Sequence, residues 1–230
     1  LLPKIKNNEY GFSYFIMSLD RSVQSISIAR PLPPSAGVSL SFYRVGTDNI
    51  IETNSSFGDQ LGILNYSQGF GMLSFGIDLG SLSGGFNFKA LYNNMDIYQS
   101  ESSLGFDVGF LYEINQNINL GMKINNLSSS FDWEIDYLNQ NQSEIYEEEI
   151  PTSYMLGLSY NIPYKLLISA QVDSYEIKSN VNLSEISYYK YKFGFEYYLD
   201  SKITNNTIFL RGGLNYLNDD LKCSLGFGMP

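Results

Sequence analysis

The chain has no histidine and a single cysteine, Cys223. The first absence removes Ser-His-Asp and Cys-His catalysis and the usual zinc sites. The second rules out an internal disulfide and leaves Cys223 as a buried or lipid-facing thiol on an apolar strand phase. No apolar run approaches the ~20 residues of a membrane helix, which excludes helical spans but says nothing of strands. Charged residues are sparse at 17%, and basic ones sparser, with 14 Lys and Arg against 24 Asp and Glu. With a net charge of −10 and no basic cluster, the chain is expected to have no nucleic-acid partner, since phosphate binding needs concentrated Lys and Arg.

What is present is a period of two. In GGFNFKALY, SLGFDVGFLY, NINLGMKINN, YKFGFEYYL, TIFLRGGLNY and LKCSLGFG, large apolar residues alternate with Gly, Ser, Asn and a few charges. Side chains alternate faces along a strand, so each segment reads as a strand with one apolar and one small or polar face. Strands are expected near 9–17, 22–30, 37–46, 69–80, 83–93, 102–112, 117–126, 152–160, 164–174, 187–198, 207–216 and 221–228. The connections sort by length. Those at 31–36, 81–83, 113–116, 161–163 and 199–206 are short and rich in Pro, Asn and Ser. Those at 47–68, 94–101, 127–151 and 175–186 are read as longer polar loops, and the tight turns at 18–21 and 217–220 fall on their side. Outer-membrane barrels sort their connections this way.

Alternation alone does not separate such a barrel from a soluble sandwich. Three features favour the barrel. The apolar phase (Phe12, Ile26, Leu40, Phe86, Phe88, Phe106, Leu158, Phe193, Leu214 and others) carries no charge at its central positions. The opposite phase is rich in Gly and Ser, whereas a solvated strand face prefers Thr, Lys, Glu and Arg, because Gly weakens a strand. Tyr43, Tyr92, Tyr112, Tyr160, Tyr164, Tyr197, Tyr198 and Tyr216 lie at or near strand ends, where amphipathic rings meet lipid headgroups. The alternation predicts that Phe88→Arg impairs assembly far more than Asn87→Arg.

Nine charges fall on the polar phase: Asp78, Lys89, Asp107, Lys123, Asp173, Lys190, Lys192, Glu196 and Arg211. They read as a paired network filling a narrow lumen, since charges away from bulk water need partners. The alternative is a polar path for a solute. The acidic stretch 127–151 holds Asp132, Trp133, Glu134, Asp136, Glu144, Glu147, Glu148 and Glu149. It lacks Ca²⁺-loop spacing and reads as a solvated loop suited to partner contact. No carboxylate pair is placed around one cleft, so no enzyme, cofactor or metal is expected.

Several stretches in order resemble the PorV/PorQ-type outer-membrane proteins of the FadL-like barrels. These are YGFSYFIMSLDRSVQSISIARPL, GVSLSFYRVGTDNI, GDQLGILNYSQGFGMLSFGIDLG, SGGFNFKALYNN with Lys89, GFDVGFLYEINQNINLGMKINNL with Asp107 and Asn126, IPTSYMLGLSY, FGFEYYL and IFLRGGLNY. The resemblance implies an antiparallel up-and-down transmembrane barrel of about fourteen strands, about twelve of them here. The family's N-terminal segment, its closing hairpin and a signal peptide are expected to lie outside residues 1–230. The expectation is one barrel domain over residues 1–230, truncated at both ends, from the outer membrane of a Gram-negative-type bacterium. Its partners would be outer-membrane lipid and secretion-system proteins in type IX secretion or surface assembly. A FadL-like uptake channel would instead take a hydrophobic small molecule. A soluble or surface β-barrel binding a ligand is the third reading.

Overall fold

A computed structural model describes residues 2–53, 58–95, 98–99, 103–136, 143–163, 165–178, 185–200, 207–217 and 220–228. After a 3-10 turn (Leu2–Lys4) come β1 (Glu9–Met17), β2 (Arg21–Leu32), β3 (Ala36–Thr53), β4 (Gln60–Asp78), β5 (Leu82–Met95), β6 (Tyr98–Gln99), β7 (Ser103–Glu113) and β8 (Ile118–Leu127). Then follow β9 (Ser130–Asp136), β10 (Ser143–Glu149), β11 (Thr152–Ile162), β12 (Leu166–Lys178), β13 (Glu185–Asp200), β14 (Thr207–Leu217) and β15 (Asp220–Gly228). The protein is all-β. Twelve strands form one antiparallel up-and-down path, β1-β2-β3-β4-β5-β7-β8-β11-β12-β13-β14-β15, with β6 paired to β5 and β9 paired to β10. Among the described residues the path has two ends, β1 and β15, and no helix is long and apolar enough to cross a membrane.

The expected strands lie where the alternation puts them, but the long connections differ. β3 and β4 run through most of 47–68 and span 18 and 19 residues. β12 and β13 extend into 175–186. The stretch 127–151 is no loop: β9 and β10 form a hairpin from Ser130↔Glu149 to Asp136↔Ser143. Polar composition hides such extensions, because a backbone ladder already begun adds pairs whatever its side chains. Phe131, Trp133 and Ile135 alternate in the sequence and were the available signal.

Local chemistry sets the turns. Asn115 Oδ1 accepts from the backbone N–H groups of Asn117 (2.8 Å) and Ile118 (2.9 Å), closing β7 onto β8. Asp78 Oδ1 accepts from Gly80 N (3.0 Å), and Gly80 takes the left-handed conformation (φ 93°).

The chain divides into two compact units. The first comprises Leu1–Ile77, Gly85–Asp107 and Asn126–Ile150; the second comprises Asp78–Gly84, Val108–Asn125 and Pro151–Pro230. In each, register carries the alternation across the strands, since directly opposed residues share a face. In the first unit Phe12, Ile26 and Phe42 are opposed on the apolar face, and Gly11, Ser27, Ser41 and Met72 on the polar face. In the second, Leu120, Leu158, Ala170, Phe193 and Leu214 make an apolar row beside the polar-face row Gly121, Gly157, Gln171, Lys192 and Asn215.

Candidate functional site

Burial is inverted relative to a water-soluble fold. The apolar phase is exposed, with Phe12 at 76% and Phe193 at 57%. The polar phase holds most of the buried residues, including Ser74, Ser83, Lys89, Asn93, Asp107, Ser153 and Asp173. Among the described residues only Leu91 and Phe131 are buried hydrophobics. Aromatic pairs line the apolar face, with Phe75 beside Phe86 and Phe88 edge-on to Phe106 (5.4 Å).

Two charged clusters on the polar face each centre on a buried carboxylate. In the first unit Lys89 Nζ lies 2.6 Å from Asp107 Oδ1 and donates to Asn126 Oδ1 (2.7 Å). Asn87 Nδ2 donates to Asp107 Oδ2 (2.9 Å), and the Asn126 backbone N–H donates to Asp107 Oδ1 (3.1 Å). Both charges are nearly withdrawn from solvent, so each depends on the other and on these amides. In the second unit Asp173 is 0% exposed. Lys192 Nζ pairs with its Oδ2 at 2.7 Å, Gln171 donates to Oδ1 (2.6 Å) and Tyr175 donates to Oδ2 (3.5 Å). Lys192 is the diagonal neighbour of Asp173, while Lys190 is the residue directly opposite. A third pair, Arg211 with Glu196, is directly opposed on β14 and β13, and Arg211 also lies over the Phe209 ring.

The nine polar-phase charges meet in local groups among the described residues. Three local pairs account for six of them. Asp78 bonds at its turn to Gly80 N and Ser83 Oγ. Lys123 faces Met155 across the ladder. Period two tells which face a residue occupies, but only register tells who its neighbour is. The side chains of Asp132, Trp133, Glu134, Asp136, Glu144 and Glu147 lie outside the described residues. Glu148 is exposed and Glu149 half-buried at the end of β10. Tyr164 also lies outside the described residues.

The tyrosines split between the faces. Tyr154 and Tyr160 flank Leu156 and Leu158 on the apolar face of β11, and Tyr191 and Tyr197 flank Phe193 and Phe195 on β13. Each pair is about 20 Å apart along its strand. Tyr43 and Tyr198, expected among the strand-end rings, are instead on the polar phase: Tyr43 opposes Ser25 and stacks on Phe70 (5.4 Å), and Tyr198 opposes Phe209. Arg30 and Arg44 share the phase of Ile28 and Phe42, each one step beyond its apolar centre.

Chain segments also lie on the polar face of the first unit, which the alternation gave no means to foresee. A Cβ on Gly76 would come 2.9 Å from Pro3 Cδ, and one on the opposed Gly37 would collide with the Leu2 carbonyl, so this glycine pair seats the N-terminal turn. The second unit has an open concavity of about 390 Å³ instead, lined by residues such as Gly121, Gly157, Ser159, Ser169, Gln171 and Lys192. Among the described residues no group of His, Cys, Asp and Glu is placed to hold a metal.

No family model matches this sequence, and no curated protein matches it.

Proposed function

We propose that this chain is a non-enzymatic outer-membrane β-barrel protein of the PorV/PorQ kind, serving type IX secretion or cell-surface assembly. The observation that carries the membrane half is the inverted burial: apolar side chains are exposed along strand after strand while Lys89, Asp107 and Asp173 are buried. In water that arrangement would leave a large apolar surface uncovered; in lipid it is the stable one. The tyrosines flanking β11 and β13 fit the headgroup levels, and β3 and β4 are much longer than the ~9–11 residues a spanning strand needs. Their far ends would stand outside the bilayer with the β9–β10 hairpin, where a secretion partner would meet them. An up-and-down path of an even strand number also lets a barrel close antiparallel, leaving no edge in lipid. The secretion role rests on the ordered resemblance of the strand motifs.

The test is fractionation of the native protein followed by pull-down from detergent extract. Recovery in the outer membrane together with secretion-system proteins is expected; recovery in the soluble periplasm without detergent would end the membrane reading. The second reading is a channel for a hydrophobic small molecule. It is favoured by the stacked Tyr43 and Phe70 near Met72 on the polar phase, where Val23 and Val45 are also opposed, and a lipid-like molecule in the purified protein would support it.

A further inference from the structure

The Lys89–Asp107 pair does more than neutralise itself. Asp107 accepts the backbone N–H of Asn126, and Lys89 donates to the Asn126 side chain. Asn126 has φ 58° and Ser128 φ 54°, so the chain bends through two left-handed non-glycine residues where it leaves β8. The bend carries it across the polar face of β7. A Cβ on Gly105 would collide with Ser129 Oγ and would stand 3.4 Å from Ser129 Cβ and from Leu91 Cδ1. Ser103 Oγ accepts from Ser130 N (3.2 Å), and Ile150 N donates to Ser129 O (2.9 Å) at the return from β10. Ser129 is buried, and so are Leu91 and Phe131. The base of the β9–β10 hairpin is thus fastened onto the polar face, with a glycine beneath it to make room.

We propose that the base of the β9–β10 hairpin is a constriction of the barrel interior, and that Lys89, Asp107 and Asn126 are the latch that holds it there. The inference rests on the membrane-barrel reading. Asp107 supplies the acceptor that fixes the bend, Lys89 bridges carboxylate and amide, and Gly105 leaves space for Ser129. With the latch intact the hairpin base occupies interior volume; with it broken, the left-handed bend loses its anchor and the base lifts off β7. The passage served is for small hydrated solutes, because the described face under the hairpin base, Leu91 apart, carries Ser, Asn, Lys and Asp.

The test uses the full-length protein in planar bilayers with potassium chloride. A Gly105→Cys/Ser129→Cys pair is introduced with Cys223→Ser, since the 3.4 Å separation of the two β carbons lies close to disulfide geometry. Copper–phenanthroline should cross-link this protein almost completely, and much less when Asp107→Asn is added. Reduced Asp107→Asn channels should conduct several-fold more than native ones, and oxidation should return the cross-linked ones to the native value. Gly105→Leu, which displaces Ser129 but leaves the ion pair, should raise conductance in the same way and stands in if Asp107→Asn fails to fold. Inserted native, Asp107→Asn and Gly105→Leu channels of equal conductance, or absent cross-linking with Asp107 present, would overturn the latch while leaving the barrel standing. A full-length protein that never enters a bilayer would overturn both.

Discussion

The polar faces of the two units share one composition and do different things with it. In the first unit the glycines at 37, 76 and 105 are seats, occupied by Leu2, Pro3 and Ser129. In the second, Gly121 and Gly157 lie on the floor of an open concavity, where an added Cβ would meet only ordinary contacts at 3.7 Å or more. The charges follow suit. Lys89 is enclosed along with its carboxylate, whereas the Lys192 side chain keeps 35% exposure beside a wholly buried Asp173. A Gly- and Ser-rich strand phase therefore leaves room above its face, which the chain itself fills at Gly37, Gly76 and Gly105 in one unit and leaves open at Gly121 and Gly157 in the other.

The comparison can be broken most severely at the ion pairs. Asp107→Asn leaves Lys89 charged and buried, and should cost about 3–5 kcal/mol, as removal of one partner of a buried pair does. Asp173→Asn should cost less, because Lys192 can turn its ammonium toward water. Urea unfolding in lipid vesicles measures both, and equal losses would contradict the contrast between enclosed and open faces.

Next comes the distinction between the faces themselves. Leu158→Arg on the apolar face should cost ~2–4 kcal/mol near mid-bilayer, against little for Ser159→Arg on the polar face, read as the folded fraction that resists heating in detergent. This pair is cleaner than Phe88 and Asn87, because Asn87 is tied to Asp107 and its replacement disturbs that cluster as well.

Glycine replacement sharpens the comparison further. Gly105→Leu should destabilise by ~1–3 kcal/mol through overpacking against Ser129, whereas Gly157→Leu should be tolerated within about 1 kcal/mol. The smallest effect is expected at Glu196→Gln, below about 1 kcal/mol, since its partner Arg211 is more than half exposed.

Much of the fold was legible in the sequence. Period two located the path strands and assigned most residues to a face, because one-face burial imposes that period whatever the surroundings. What it could not supply was register, so Lys89, Asp107 and Asn126 could not be joined by spacing alone, nor Lys192 preferred over Lys190 as the partner of Asp173. Composition misled where backbone pairing continued under polar side chains, in the ends of β3 and β4 and in the β9–β10 hairpin. Tyr43 and Tyr198 were misplaced because closeness to a strand end says nothing about phase.

The central claim is that the exposed apolar phase faces lipid. Spin labels on single cysteines introduced from Tyr191 to Tyr197, in a Cys223→Ser background reconstituted into vesicles, test it most directly through oxygen and a water-soluble nickel complex as relaxation agents. Labels at Phe193 and Phe195 should respond to oxygen, and labels at Lys192, Gly194 and Glu196 to the nickel complex. The opposite alternation, or equal access of the nickel complex at every position, would contradict the account.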